Sequence, residues 1–325
     1  MENKKNGHVW RQIAAAAAIV AVIVITGIFY PTAPDEESYD NAAWMAGVND
    51  TTKLSEINIP GTHDSSSLYI FPQHFLQTQD TDITQQLLNG YRFLDIRVEL
   101  GNDGLEMCHS FGRCRTKANM FSKTLKFREV TQKVKEFLEQ YPSETVIFCI
   151  KAENSDDDVS MVSSQIKEII EEDPNLWYTG TTIPTMEQAR GKIVVARRYE
   201  ADYGMNFEWD DQGSDIYYQN PMSESQINDT EYLEVQDRYN YDTNSKLKAV
   251  EYSLENCPAS EDTFVLNYLS TTNGSSLPYP RKYANELNGA LNGLSLTQGK
   301  YYGTVIVDFA DSETADKIIE SNILQ

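Results

Sequence analysis

Positive charge is in short supply in this chain. Its 27 lysines and arginines face 49 aspartates and glutamates, giving a formal net charge of −22 over 325 residues. No basic stripe runs along it, which excludes a nucleic-acid binder built on phosphate contacts. Bulk attraction to an anionic membrane is excluded with it, so any lipid contact has to be local and partly apolar. Cysteine and histidine are scarce, four of each, and no Cys/His spacing matches a zinc site. No Pro/Gly/Ser-rich linker divides the chain and no internal repeat organises it. The length then reads as one large α/β domain rather than two small ones.

Long apolar runs are absent except at the start. Lys4, Lys5 and Arg11 precede 18 uncharged residues, 13–30, long enough to span a bilayer. The preceding positive charge places the N-terminus inside and the rest outside. Residues 1–34 therefore read as a signal peptide or an uncleaved signal anchor, with 31–33 the best cleavage site, and residues 35–325 as the exported domain. The protein is expected to be secreted or tethered to the outer face of the cell membrane. Export permits disulfides. Cys108 and Cys114 flank His109, so they either close a small loop around it or, like Cys149 and Cys257, remain buried thiols.

The chain is organised around residues 57–67, Ile-Asn-Ile-Pro-Gly-Thr-His-Asp-Ser-Ser-Ser. Pro60 is expected to end a first strand over 54–59, and Gly61 to turn the backbone. Thr62, His63 and Asp64 would then lie at the mouth of the sheet. Further strands are expected over 91–100, 105–109, 144–151, 192–198, 232–237, 263–269 and 302–309, with 215–218 extended. Helical spacing occurs at 127–140, 156–171, 186–190, 246–255, 284–294 and 315–324, with a short helix near 44–48. The stretch 199–230 reads mostly as long loops. Alternation of strands and helices predicts βα units and a mainly parallel sheet. About eight strands suggest a closed or nearly closed barrel.

The second strand carries the chemistry. Phe93, Asp95, Arg97 and Glu99 share one face, and Leu94, Ile96, Val98 and Leu100 the other. The apolar face would cover helices, and the charged face would point into a barrel lumen. Cys149, Lys151 and Glu153, then Val235, Asp237 and Tyr239, repeat the split, and Asp308 interrupts a late apolar strand. An antiparallel sheet with one wet face would also allow such alternation, but here the charges gather near strand ends. Two imidazoles, His63 and His109, can serve as base and acid across one phosphate ester. A guanidinium between them would neutralise charge developing on the phosphoryl oxygens. A carboxylate behind the base would hold its tautomer. A metal phosphodiesterase would want clustered carboxylates such as Glu-x-Asp, and Asp95-Ile96-Arg97 has a cation instead.

At these residues the sequence resembles the bacterial, metal-independent phosphatidylinositol-specific phospholipases C. The matching runs are Ile57-x-Ile59-Pro60-Gly61-Thr62-His63-Asp64-Ser65, Phe93-Leu94-Asp95-Ile96-Arg97 and His109. Lys151-x-Glu153, the run from Gly191 to Arg198-Tyr199, Val235-Gln236-Asp237-x-Tyr239 and Val307-Asp308 follow. The resemblance implies a single-domain, irregular TIM-like (β/α)8 barrel after an N-terminal hydrophobic helix. It implies cleavage of phosphatidylinositol to diacylglycerol and inositol 1,2-cyclic phosphate, with no metal and no cofactor. By the same resemblance His63 is the base, oriented by Asp308. His109 is the acid, assisted by Asp64. Arg97 contacts the phosphate, and Asp95 supports it. Lys151, Arg198, Asp237, Tyr239 and Glu153 would bind the inositol, with Arg197 competing with Arg198 for the inward position. The expected partner is phosphatidylinositol, free or as glycosyl-phosphatidylinositol, at a membrane surface. The chain itself is expected to act as a monomer. Tyr69, Ile70, Phe71, Phe75 and Leu76, or Leu277, Tyr279 and Tyr283, are candidates to enter the lipid interface. The alternatives are a metal-dependent glycerophosphodiester phosphodiesterase and a non-catalytic inositol-lipid-binding surface protein.

Overall fold

The computed structural model describes residues 40–154, 157–213 and 220–325. The apolar segment at 13–30 and the extended stretch expected at 215–218 lie outside them. Among the described residues no helix is long and apolar enough to cross a membrane.

Twelve strands form one sheet: β1 Ile59–Thr62, β2 Phe93–Gly101, β3 Gly104–His109, β4 Gly112–Arg113, β5 Val146–Ala152, β6 Trp177–Tyr178, β7 Ile193–Arg198, β8 Met205–Asn206, β9 Ser223–Gln226, β10 Tyr232–Gln236, β11 Thr263–Tyr268 and β12 Thr304–Val307. The order is β6-β7-β5-β2-β1-β12-β11-β10-β9. Every pairing from β6 to β10 is parallel, and β9 lies antiparallel to β10. The curl is a barrel without full closure. Between β8, paired to β7, and β9 the described residues show no ladder; the gap is crossed by Asn206 Nδ2 donating to Gln226 O at 3.2 Å.

The two faces of β2 divide as its alternation predicts. Leu94, Ile96 and Val98 pack with Val130, Val134 and Phe137 of the helix Phe127–Gln140, and with Val162 and Ile166 of the helix Val159–Glu172. Phe93 faces the lumen with Ile147, Val194, Leu233, Phe264 and Ile306. The antiparallel hairpin β2–β3 turns between Gly101 and Gly104, which has a φ of +112°, a backbone state open to glycine at little cost.

The first strand corrects the sequence reading. Residues Leu54–Glu56 form a 3-10 turn, and the strand is Ile59–Thr62, so it runs through Pro60 instead of ending there. Pro60 O accepts from Arg92 N at 2.9 Å, so this edge of the residue faces β2. The N–H that proline lacks would point to the same side, before β2 has begun, and no ladder bond is lost. Gly61 does not turn the chain either. It sits in the ladder between Phe93 and Ile306, where a Cβ would come within 3.0 to 3.1 Å of both side chains. The sharp turn belongs to Asp64, with a φ of +42°. The stretch 199–230 also holds more order than expected, in β8 and β9.

A buried ion pair closes the opposite end of the barrel. Arg92 and Glu144, both fully buried, meet at 2.9 Å, and Arg92 also donates to the carbonyls of Leu87, Tyr91, Asn41 and Ala42.

Candidate active site

The C-terminal ends of the parallel strands converge on a cavity of about 730 Å³, lined among others by His63, Arg97, His109, Lys151, Arg198 and Asp308. Parallel register sets one row of it. Arg97 of β2 lies opposite Lys151 of β5, and Lys151 opposite Arg198 of β7. Three cations side by side repel one another unless anions lie between them. Asp95 and Glu153 supply part of that compensation: Arg97 meets them at 3.1 and 3.3 Å, and Lys151 meets Glu153 at 2.8 Å. Burial raises the Glu153 carboxyl, but Arg97 and Lys151 outweigh it and bring the group down to about 2.

Asp64 is the hub. Its left-handed backbone folds the chain over β2, where Ser65 N donates to Asp95 O at 3.0 Å. The carboxylate is then buried among three cationic or ionisable groups. Oδ2 lies 3.0 Å from His63 Nε2 and 3.1 Å from His109 Nε2, and Oδ1 lies 3.0 Å from Arg97 Nε. Burial alone would raise its pKa; Arg97, His109 and His63 reverse that and hold it well below the carboxylate range. The imidazole centroids are 5.9 Å apart at 75°.

His63 is held from both sides. Asp308 Oδ1 lies 2.7 Å from Nδ1, and Arg97 Nη2 lies 3.0 Å from Nε2. Burial lowers its pKa, but the Asp64 and Asp308 carboxylates prevail and raise it to about 10. His109 Nδ1 donates to Leu76 O at 2.7 Å, which leaves Nε2 pointing at Asp64. Nothing covalent closes the loop around His109. All four cysteines are free thiols, and the turn is made by the β3–β4 pairing, with Cys108 opposite Arg113 and Ser110 at a φ of +53°.

The expected inositol residues are also gathered here. Lys151, Glu153, Arg198, Asp237 and Tyr239 all line the cavity. Arg198 is the inward arginine, its guanidinium 3.5 Å above the Trp209 ring. Arg197 turns the other way, onto the carbonyls of Tyr203 and Tyr199. Tyr239 donates to Asp211 Oδ1 at 2.7 Å. The apolar segment after Asp64 is partly core: Ile70 and Leu76 are buried, whereas Leu277 and Tyr279 are exposed. His74 joins the two patches, its ring 4.2 Å from that of Tyr279.

Several site residues escaped the sequence reading. Gln79 is fully buried and ties the ends of β1 and β12 together, donating from Nε2 to His63 O and Val307 O and accepting from Ala310 N. Trp209 and Asp211 come from an irregular stretch with no periodic signal. Ser270, just after β11, lines the cavity with a buried hydroxyl that has no hydrogen-bond partner among the described residues.

His63, Asp64 and Asp95 each bring one ligand atom within 4.8 Å of the others, an arrangement a cation would tolerate. Arg97 already lies against both carboxylates, at 3.0 and 3.1 Å. A divalent ion placed there would face a guanidinium.

Residues 57–199 match the family "Phosphatidylinositol-specific phospholipase C, X domain". A 1-phosphatidylinositol phosphodiesterase of Staphylococcus aureus (strain Newman) is 30% identical, over 89% of this chain and 97% of its own. One of Listeria monocytogenes is 28% identical, over 89% and 87%. Among solved structures, a phosphatidylinositol-specific phospholipase C of S. aureus aligns with a TM-score of 0.72 at 26% identity, covering 89% of this chain and all of the other. The L. monocytogenes enzyme aligns with a TM-score of 0.68, also at 26% identity, over 87% and 98%. A relative at this identity, aligned along nearly its whole length and on the same curled parallel sheet, decides the matter: the chain belongs to the phosphatidylinositol-specific phospholipases C.

Proposed function

We propose that this chain cleaves phosphatidylinositol at the glycerol–phosphate ester, releasing diacylglycerol and inositol 1,2-cyclic phosphate. The observation that carries this is the shared carboxylate: the Nε2 atoms of both imidazoles lie within 3.1 Å of Asp64 Oδ2, with Arg97 3.0 Å from the other oxygen. One phosphorus placed above them is within reach of all three groups.

In this reading His63 Nε2 accepts the proton of the inositol 2-hydroxyl as that oxygen attacks phosphorus. Asp308 keeps the Nδ1 proton in place and stabilises the cation that forms. His109 Nε2–H gives its proton to the departing glycerol oxygen, and Asp64 orients it. Arg97 neutralises charge on the phosphoryl oxygens, and Asp95 and Glu153 hold the guanidinium in the plane it needs. The raised His63 pKa bears on the rate, because only the fraction with Nε2 unprotonated can act as a base. Arg97, 3.0 Å from that atom, opposes its protonation. Lys151, Arg198 and Asp237 would hydrogen-bond ring hydroxyls, and Tyr239 and Trp209 would flank the ring. Leu277 and Tyr279 would meet the lipid beside the cavity. Residues 35–325 act as one catalytic barrel, exported by the segment at 1–34.

Phosphorus NMR of the product tests this reading. A cyclic phosphodiester from phosphatidylinositol micelles with chelator present is the expected result. A linear monophosphate from the start, or turnover that requires calcium, would overturn it; the second outcome would favour a metal held by His63, Asp64 and Asp95.

A further inference from the structure

One short stretch departs from the reading that this acidic chain holds no basic run. Between residues 110 and 128 lie Arg113, Arg115, Lys117, Lys123, Lys126 and Arg128, and no aspartate or glutamate. The stretch links β3, which delivers His109, to the helix Phe127–Gln140. It is a hairpin. The arms pair at Arg115 and Thr124, and Thr116 N donates to Lys123 O at 3.0 Å. The tip is fixed by Ser122 N donating to Asn119 O and by Phe121 N donating to Asn119 Oδ1.

Three of the six cations are occupied: Arg113 by Glu99 and Glu106, Lys126 by Asp103 and Glu106, Arg128 by Glu172. Among the described residues Arg115 donates its side-chain hydrogen bonds to neutral oxygens, those of Ser122 and Thr124. Neither it, Lys117 nor Lys123 forms an ion pair among the described residues. Between the two lysines project Met120 and Phe121, 48% and 88% exposed. At the near turn of the same excursion Phe111, 77% exposed, lines the catalytic cavity.

A phenylalanine left this exposed on a hydrogen-bonded tip gains nothing from water. Flanked by unpaired cations, it fits a boundary where apolar tails meet anionic headgroups. We propose that the hairpin at 115–124 docks on an anionic lipid surface, with Met120 and Phe121 entering the acyl boundary and Arg115, Lys117 and Lys123 pairing with headgroup phosphates. A long polyanion fits less well, because the net charge of −22 would repel it beyond the hairpin. The proposal rests on the hairpin and not on the reaction.

The test is partition of the full chain onto vesicles of phosphatidylcholine with or without phosphatidylglycerol, an anionic lipid that carries no inositol. Preference for the anionic vesicles, lost at high salt, is expected. Each lysine near a charged surface is worth about fivefold, so K117Q/K123Q should cut binding to anionic vesicles by about 25-fold and leave phosphatidylcholine binding unchanged. Phe121→Ser should weaken it by about tenfold, and both variants should melt with the wild type, since these side chains are exposed. Equal binding of wild type and K117Q/K123Q to anionic vesicles would overturn the proposal. So would a Phe121→Ser effect confined to the oligomeric state, which would make the tip a contact between copies of the chain. Loss of turnover with vesicle binding intact would count against the reaction and not against the hairpin.

Discussion

Replacing Asp308 with asparagine tests the electrostatics of the site most directly. Asp308 Oδ1 lies 2.7 Å from His63 Nδ1 and is one of the two carboxylates that raise this imidazole to about 10. The amide keeps the shape and a hydrogen-bond acceptor but removes the charge. A unit charge at about 4 Å is worth about 4 kcal/mol in a medium of effective dielectric about 20. At about 1.4 kcal/mol per unit, that lowers the His63 pKa by roughly three units. Two consequences differ in direction. The ascending limb of kcat/KM against pH should move to lower pH, because the base is freed more easily. The plateau should fall by about 10² to 10⁴, because the cation formed at the transition state loses its support. Stability has its own sign. His63 is raised above an unfolded value near 6.5, so its carboxylate neighbours stabilise the fold below that pH, and the effect is lost as pH climbs towards about 10. The stability deficit of D308N should therefore be largest in mild acid and shrink in base. The assay is cyclic phosphate release across pH, alongside His63 ring-proton titration by NMR and urea melts at two pH values. A variant with an unmoved titration and full turnover would refute the roles given to both residues.

Other expected outcomes follow from single contacts. His109→Ala should lose about 10² to 10⁴ in kcat on phosphatidylinositol, yet lose far less on an inositol phosphodiester with a nitrophenol leaving group, which departs without a proton. Equal losses on both substrates would remove the acid role. Gly61→Ala places a Cβ within 3.0 to 3.1 Å of Ile306 and Phe93 and should cost about 1–3 kcal/mol in urea denaturation; an unchanged midpoint would contradict the packing of β1. Glu144→Gln leaves the buried Arg92 guanidinium without its anion and should cost about 3–5 kcal/mol, with kinetics on the folded fraction preserved because the pair closes the far end of the barrel.

Some of this molecule could be read from residue order because the relevant physics is local. The apolar spacing of 127–140 is a helix with those bounds. The alternation from Phe93 to Leu100 placed charge on one face and helix-packing residues on the other, as β2 bears out. Periodicity shows whether a side chain faces inward, and strand-end polarity shows where chemistry gathers. Local rules failed where a neighbour set the outcome. Pro60 and Gly61 read as a stop and a turn, yet they sit inside a strand, because β2 begins too late to require the missing donor and Phe93 leaves no space for a Cβ. Arg197 and Arg198 are adjacent, and only the register of β7 against β5 sends the second one inward. Gln79, Trp209 and Ser270 carry no pattern at all.

Sequence alone thus determined which groups this protein has to work with and which strands carry them. Residue order by itself carries no signal that His63 meets Asp308, 245 positions away; only the resemblance implied that pair, and neither made Asp64 the one carboxylate shared by two imidazoles and a guanidinium. Those meetings depend on parallel strands stacking in register and on a left-handed turn at the end of β1. Coulombic interaction falls with distance through space and takes no account of distance along the chain.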